Sequence, residues 1–228
     1  MSSSEDYVEL PGAGRALFTA RSDGNMSSVA GDGAALGRAA RDGLRDRIGL
    51  QRLARGYQVH GSVVRRVEVA LHDEPAPDRS AEADGQATAT SGIGTLVLAA
   101  DCMPIALGSR RAVAMLHAGW RGVVAGVIEE GVRAVRDLAG GQQIVAVVGP
   151  CAGVCCYEVG PEVHRELAGS HRDGSHIDLR AIAHERLLAA GVAQVSDVRA
   201  CTICDERYFS HRREGSRAGR QAGLAWLS

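Results

Sequence analysis

The chain has 228 residues, 45% of them hydrophobic and 23% charged, and 26 basic residues against 27 acidic ones leave a formal net charge of −1. That composition supplies enough apolar material for a real core. It excludes a disordered tail, a collagen-like fibre and a polyelectrolyte that binds nucleic acid by charge alone. There is no run of about 18 uninterrupted apolar residues to suggest a membrane span. The opening MSSSEDYVEL lacks the basic and apolar regions of a secretory signal, so the cytoplasm is the expected location. All 26 basic residues are arginine. A lysine Schiff base, a pyridoxal phosphate anchor and a P-loop lysine are therefore excluded.

Residues 1–10 are expected to be disordered, with a single domain filling the rest. Residues 11–24 read as a strand with a Gly-rich turn. Leu36, Ala40, Leu44 and Ile48 recur at four-residue steps, which predicts a helix over 32–48 with an arginine-rich outer face. Residues 57–59 and 62–69 read as strands. The polar stretch 72–92, with Pro75 and Pro77, reads as a loop rather than a linker, because its flanks are too short for separate cores. Residues 94–100 (GTLVLAA), 105–107, 112–117 (AVAMLH) and 144–148 are apolar runs of the kind that form strands buried on both faces. Between them, 123–138 reads as one helix. Residues 161–168 and 179–190 read as helices, 198–200 as a strand, and 208–227 as a turn and a short final strand. Hairpin-like strand pairs mixed with single helices predict an α+β sandwich with a mixed sheet and flanking helices.

Three soft or borderline ligands stand where a strand meets a loop: His60 in YQVHG, Cys102 in ADCMP and His117 in HAGWRG. Two imidazoles and a thiolate would form a three-ligand site with an open fourth position, as in catalytic zinc centres. Their spacing alone does not make a compact ligand motif. Cys102 with His117 would equally serve as a nucleophile and base. His72, His164, His171, His176 and His184 read as solvated surface. The six cysteines are too few for a disulfide scaffold. The Cys155–Cys156 pair suits neither a staple nor a zinc knuckle. Cys201-Thr-Ile-Cys204 lacks the second CxxC of a zinc ribbon and reads as two packing thiols. Arg41, Arg121, Arg212, Arg213 and Arg220 lie near these segments, with forks that match phosphate or carboxylate. No GxGxxG follows a strand, and there is no Walker motif.

In order along the chain, YQVH60G, ADC102MP, H117AGWRG, Gly149-Pro150, C155CYEVG, Cys201-Thr202, F209SHRR and G219RQ resemble the YfiH-type family, known as multicopper polyphenol oxidase or laccase-domain proteins. The likeness spans about residues 17–227. It implies a single α+β domain with zinc on His60, Cys102 and His117, which would also be the catalytic residues. It implies phosphorolysis of adenosine, inosine, guanosine and methylthioadenosine, together with deamination of adenosine. The older label implies copper and phenol oxidation instead, and a related member is described as hydrolysing a misincorporated amino acid from a peptidoglycan precursor. Against copper, a multicopper oxidase needs many histidine ligands, and only two of the eight histidines here are well placed. The N-terminal region departs from the family pattern Thr-x-Arg-x-Gly-Gly-Val-Ser. Thr19, Arg21 and Gly24 remain, Asp23 stands for a glycine, the loop before Gly31 is short, and the family's Asn-Arg becomes Ala40-Arg41. If that loop covers the substrate, the change would narrow specificity or lower activity. Arg41 is the expected substrate-binding residue, as a phosphate contact. The expected partners are a nucleoside and phosphate, without nucleic acid or membrane.

Overall fold

The structure, a computed structural model, describes residues 7–68, 82–167 and 171–228. Two mixed β-sheets pack face to face. The first has the order β1 (Val8–Glu9), β2 (Gly14–Phe18), β13 (Gln221–Leu227), β6 (Ile93–Ala99) and β3 (Arg52–Ala54). The second has the order β12 (Gln194–Asp197), β9 (Val145–Val148), β7 (Met103–Gly108), β8 (Val113–Ala118), β5 (Gly85–Thr88) and β4 (Val64–Arg66). Helix α1 (Gly37–Ile48) covers the outer face of the first sheet. Helices α3 (Val127–Ala139) and α5 (Leu179–Ala189) cover that of the second. Shorter helices α2 (Trp120–Ala125), α4 (Pro161–Glu166) and α6 (His211–Glu214), and a ribbon of β10 (Arg172–Asp173) with β11 (His176–Ile177), complete the fold. Among the described residues no helix is long and apolar enough to cross a membrane.

Strand alternation explains the layers. In β6, Leu96 and Leu98 face the α1 side with Leu44, Leu53 and Trp226, while Val97 faces the other sheet with Met115, Val147 and Ala225. In β8, Leu116 and Ala118 join Ile128, Val132 and Leu187 on the helical side. Both faces are therefore apolar, which is why these strands read as unbroken hydrophobic runs. The α+β sandwich expected from sequence is the fold observed.

Several elements differ from their sequence reading. Val8–Glu9, expected to be disordered, pair antiparallel with β2, and Tyr7 packs edge-on against Trp226. Helix α1 begins at Gly37; Leu36 precedes it and is 69% exposed, and Arg41 on the supposed outer face is buried. Strand β3 lies before the predicted 57–59, where Tyr57 makes only an isolated bridge to Glu82. The predicted loop 72–92 contains β5, whose Gly-Gln-Ala-Thr sequence has no apolar run although all four residues are buried. Residues 69–81, including His72, lie outside the described residues. The helix predicted over 123–138 breaks at Gly126, whose φ of 93° ends α2 and starts α3. The strand expected at 198–200 lies at 194–197 instead, a polar edge strand parallel to β9. The final strand is seven residues long and central, between β2 and β6.

Topology then gathers the loops. Strands β3 and β6 run parallel, so they end on the same side, and both chains there cross to the second sheet. The C-terminal ends of β8, β9, β12 and β2 reach that same end, as does the start of β13. Every segment singled out for chemistry therefore opens at one end of the sandwich, a rigid rim with space for a ligand.

Candidate active site and metal centre

His60 sits in the β3–β4 crossover with a left-handed φ of 61°. Cys102 sits in the β6–β7 crossover, directly after Asp101 with φ 87°. His117 lies in β8 opposite Pro104 of β7. The three side chains converge, with their ligand atoms all within 4.8 Å of one another. The imidazole rings of His60 and His117 meet edge to face at 4.9 Å. His117 is 4% exposed, Cys102 half-buried and His60 exposed, so the group opens toward solvent on one side.

The residue that organises the group is one the sequence reading missed. Asp84, fully buried just before β5, accepts the backbone N–H groups of Val59 (3.1 Å), His60 (3.0 Å) and Gly61 (2.8 Å). Its Oδ1 also lies 2.8 Å from His117 Nδ1. A carboxylate only accepts, so Nδ1 carries the proton and Nε2 is left for the ligand position. One carboxylate thus sets both the left-handed turn of His60 and the tautomer of His117. It falls in the stretch that reads as a polar loop, and no local signal marks it.

The charges reinforce this arrangement. Burial pushes the Cys102 thiol up, but His117 and His60 outweigh it and bring the pKa down to about 6. Burial pulls His117 down, but the Cys102 thiolate and Asp84 outweigh it and raise the pKa to about 9. Burial also opposes ionisation of Asp84, yet His117 and the backbone N–H donors hold its carboxyl below the usual range. At neutral pH the group is a thiolate–imidazolium pair, ready either to exchange protons for a metal or to act as a nucleophile with its base.

The five arginines singled out in the sequence take different roles around the site. Arg121 lies over the Trp120 ring at 4.3 Å and Arg212 over Tyr157 at 5.1 Å. Burial and then the Cys102 thiolate push the Tyr157 phenol up to about 12. Burial lowers the Arg220 pKa below its usual value against the opposing charges of Cys102 and Asp101. Arg213 instead holds the carbonyls of Thr202 and Ile203, both at 2.8 Å. Arg41, the expected phosphate contact, is 4% exposed, and its guanidinium bonds the Met26 carbonyl and Ser28 Oγ. Burial, then Arg55, lowers its pKa to about 10. It braces the 26–28 loop from within, and the Met26 N–H in turn donates to the Arg220 carbonyl at 2.9 Å. The altered N-terminal loop is pinned by Asn25, which bonds Ser27, Ala30, Asp32 and Arg220.

Among the remaining histidines, His164 contradicts its surface reading. It is buried on α4, with Nε2 3.4 Å from the Ser175 carbonyl and Nδ1 without a partner among the described residues. His171 pairs with Glu185, and His184 lies 3.4 Å from Asp197. The cysteines read as separate packing thiols also come together, with Cys155, Cys156, Cys201 and Cys204 forming one cluster.

Gly119 limits what the donor group tolerates. A Cβ there would stand 2.7 Å from Cys102 Sγ and 3.3 Å from His60 Cδ2, while its φ of −79° suits any residue. Gly119→Ala is therefore expected to keep the fold and its thermal midpoint while losing at least about tenfold in metal affinity, the lower end of perturbations next to a ligand shell. Metal titration beside a melting curve checks this.

The family model for multi-copper polyphenol oxidoreductase laccase matches residues 14–228, and the chain belongs to that family. It is 36% identical over 236 residues to a Xylella fastidiosa protein named purine nucleoside phosphorylase, covering 95% of this chain and 88% of that one. It is 35% identical over 183 residues to the Escherichia coli protein named purine nucleoside phosphorylase YfiH, covering 75% of this chain and 72% of that one. Among solved structures, Neisseria meningitidis protein NMB0706 superposes with a TM-score of 0.81 at 28% identity, covering 98% of this chain and 99% of that one.

Proposed function

We propose that this protein is a zinc-dependent purine nucleoside phosphorylase that also deaminates adenosine, with inosine, guanosine and methylthioadenosine as further substrates. The observation that carries the proposal is the convergence of His60, Cys102 and His117 on one open-sided point. The names of the relatives supply the reaction class. The donor set fits zinc: two borderline imidazoles and a thiolate, one imidazole held by a carboxylate, and a position left for water or substrate. Copper also accepts such ligands. A multicopper oxidase needs more of them, however, and among the described residues no other histidine joins a donor group of this kind.

When bound, zinc would supply Lewis acidity and lower the pKa of water. The chain's own residues do the rest. Arg121, Arg212 and Arg220 would supply guanidinium donors to phosphate, Arg212 and Arg220 with the N–H groups left after Nη1 bonds the Glu158 carbonyl and the Ala218 and Gly219 carbonyls, and Arg121 and Arg212 stiffened by the rings they lie over. Arg41 serves the substrate side by holding the Met26–Ser28 loop against Arg220. Tyr57 and Val59, partly exposed beside His60, offer apolar surface to the purine. In phosphorolysis a phosphate oxygen attacks the ribose C1′ as the base leaves. In deamination, water replaces the amino group at the purine C6.

Metal binding carries a pH signature. Counting the Cys102 and His117 protons alone, apparent zinc affinity should rise about a hundredfold per pH unit below about pH 6, about tenfold per unit between about 6 and 9, and then level off. The sign follows because protons and metal compete for the same atoms. An affinity flat from pH 6 to pH 9 would contradict the ion pair.

Supplying adenosine with and without phosphate tests the reaction. Free base should appear only with phosphate, while inosine and ammonia should form in both cases. Consumption of phenols and oxygen with no nucleoside turnover would restore the copper oxidase reading. The thiolate–imidazolium pair favours one other reading, a cysteine hydrolase, and hydrolysis of an aminoacyl peptidoglycan precursor without nucleoside turnover would establish it.

A further inference from the structure

Cys155 and Cys156 lie in the turn after β9, and Cys201 and Cys204 in the turn after β12. Strands β9 and β12 run parallel, so both turns emerge side by side, joined by a bridge between Cys151 and Cys201. All four Sγ atoms lie within 4.8 Å of one another. Cys155 and Cys156 are neighbours in sequence, but a turn, unlike a strand, does not send successive side chains to opposite sides, so both can aim at one point. Zinc–sulfur bonds of about 2.3 Å at tetrahedral angles imply sulfur separations of about 3.8 Å. Cys155 and Cys204 stand 3.8 Å apart. The Gly153 N–H donates to Cys201 Sγ at 3.2 Å, the kind of backbone bond that supports a metal-bound thiolate. Arg213 fixes the shape of the 201–204 turn by binding two of its carbonyls, and it adds positive charge beside a site that would be anionic.

We propose that Cys155, Cys156, Cys201 and Cys204 form a second, tetrathiolate zinc site, structural rather than catalytic, that clamps two walls of the active-site rim. Four protein ligands leave no open position, unlike the His60–Cys102–His117 group. The clamp bears on the rim through short connections. Thr202, next to Cys201, donates its hydroxyl to Asp101 Oδ1 at 2.7 Å, and Asp101 directly precedes Cys102. Asp101 Oδ2 accepts the Arg212 N–H at 2.8 Å, while Tyr157, next to Cys156, lies beneath the Arg212 guanidinium. Mutual proximity of all four sulfurs favours one shared ion over two disulfides, which would need only pairwise approach.

Metal analysis of the reduced full-length chain tests the proposal, with zinc as the probe. The wild type should hold about two zinc ions. The Cys102→Ser/His117→Ala variant should keep one of them, and the Cys155→Ser/Cys204→Ser variant should lose one and melt earlier. Cobalt(II) added to the wild type should give the intense visible bands of tetrahedral tetrathiolate coordination, and these should vanish only in the Cys155→Ser/Cys204→Ser variant. If only one zinc binds and the cysteine pair variant removes it, this proposal stands and the catalytic metal reading fails. A wild type holding one zinc that disappears with Cys102 and His117 would overturn the second site. So would disulfides among these four cysteines that persist in a reduced, zinc-saturated sample.

Discussion

Cys102→Ser is expected to abolish turnover together with metal binding at the His60–Cys102–His117 group. Serine is nearly isosteric but presents a neutral hydroxyl where the site holds a thiolate with a pKa of about 6. Zinc would lose its only anionic ligand in this group. The loss of affinity should exceed the range of about 10–100-fold seen when a supporting residue is removed. His117 should respond as well. Its raised pKa of about 9 depends on the charge and hydrogen bond of Cys102 as well as on Asp84, so in the metal-free variant it should fall back toward the ordinary range. Zinc analysis, turnover and histidine titration by NMR read the three effects from one sample. The variant should hold one zinc fewer than the wild type; an undiminished zinc content with activity gone would make Cys102 a nucleophile rather than a ligand.

Asp84→Ala is expected to damage fold and site at once. The carboxylate accepts the N–H groups of Val59, His60 and Gly61, and it holds the proton on His117 Nδ1. Removing it takes the acceptor from three part-buried backbone donors and leaves the buried His117 without its carboxylate partner. Loss of one member of a buried charged pair costs about 3–5 kcal/mol. The chain should melt markedly earlier, and the surviving folded fraction should bind metal about 10–100-fold more weakly. Asp84→Asn separates the two effects. It keeps the volume and one acceptor oxygen, so stability should recover further than metal affinity, because the lost charge no longer supports the His117 imidazolium or strengthens it as a ligand. Equal metal affinity in all three proteins would remove Asp84 from the site's machinery.

The parts of this molecule that sequence reading recovers are those whose physics is local. Strands β6 and β8 are buried on both faces, and their unbroken apolar runs say so. Strand β5 is buried just as fully, but Gly85-Gln86-Ala87-Thr88 owes its burial to its neighbours β4 and β8 and carries no pattern of its own. Asp84 was lost with it. His60, Cys102 and His117 each stand out as ligand-type residues at strand ends, yet their spacing of 42 and 15 residues is no motif. Only the parallel β3–β6 pairing and the two crossovers bring them together, and in the sequence only the family resemblance links them. Arg41 shows the reverse error. Its charge and its place in the family pattern suggest a phosphate contact, whereas it is buried and bonds the Met26 carbonyl and Ser28 Oγ of the 26–28 loop. The four clustered cysteines were illegible for the same reason as the triad: two turns 45 residues apart share an end of the sheet only because β9 and β12 are parallel neighbours.

Product balance for inosine in phosphate buffer, run side by side with the wild type and His117→Ala, tests the central claim most directly. The account predicts that the zinc-loaded wild type forms one ribose 1-phosphate for each hypoxanthine released, and that His117→Ala forms neither while remaining folded. Hypoxanthine released with free ribose, or base release undiminished in His117→Ala, would contradict it.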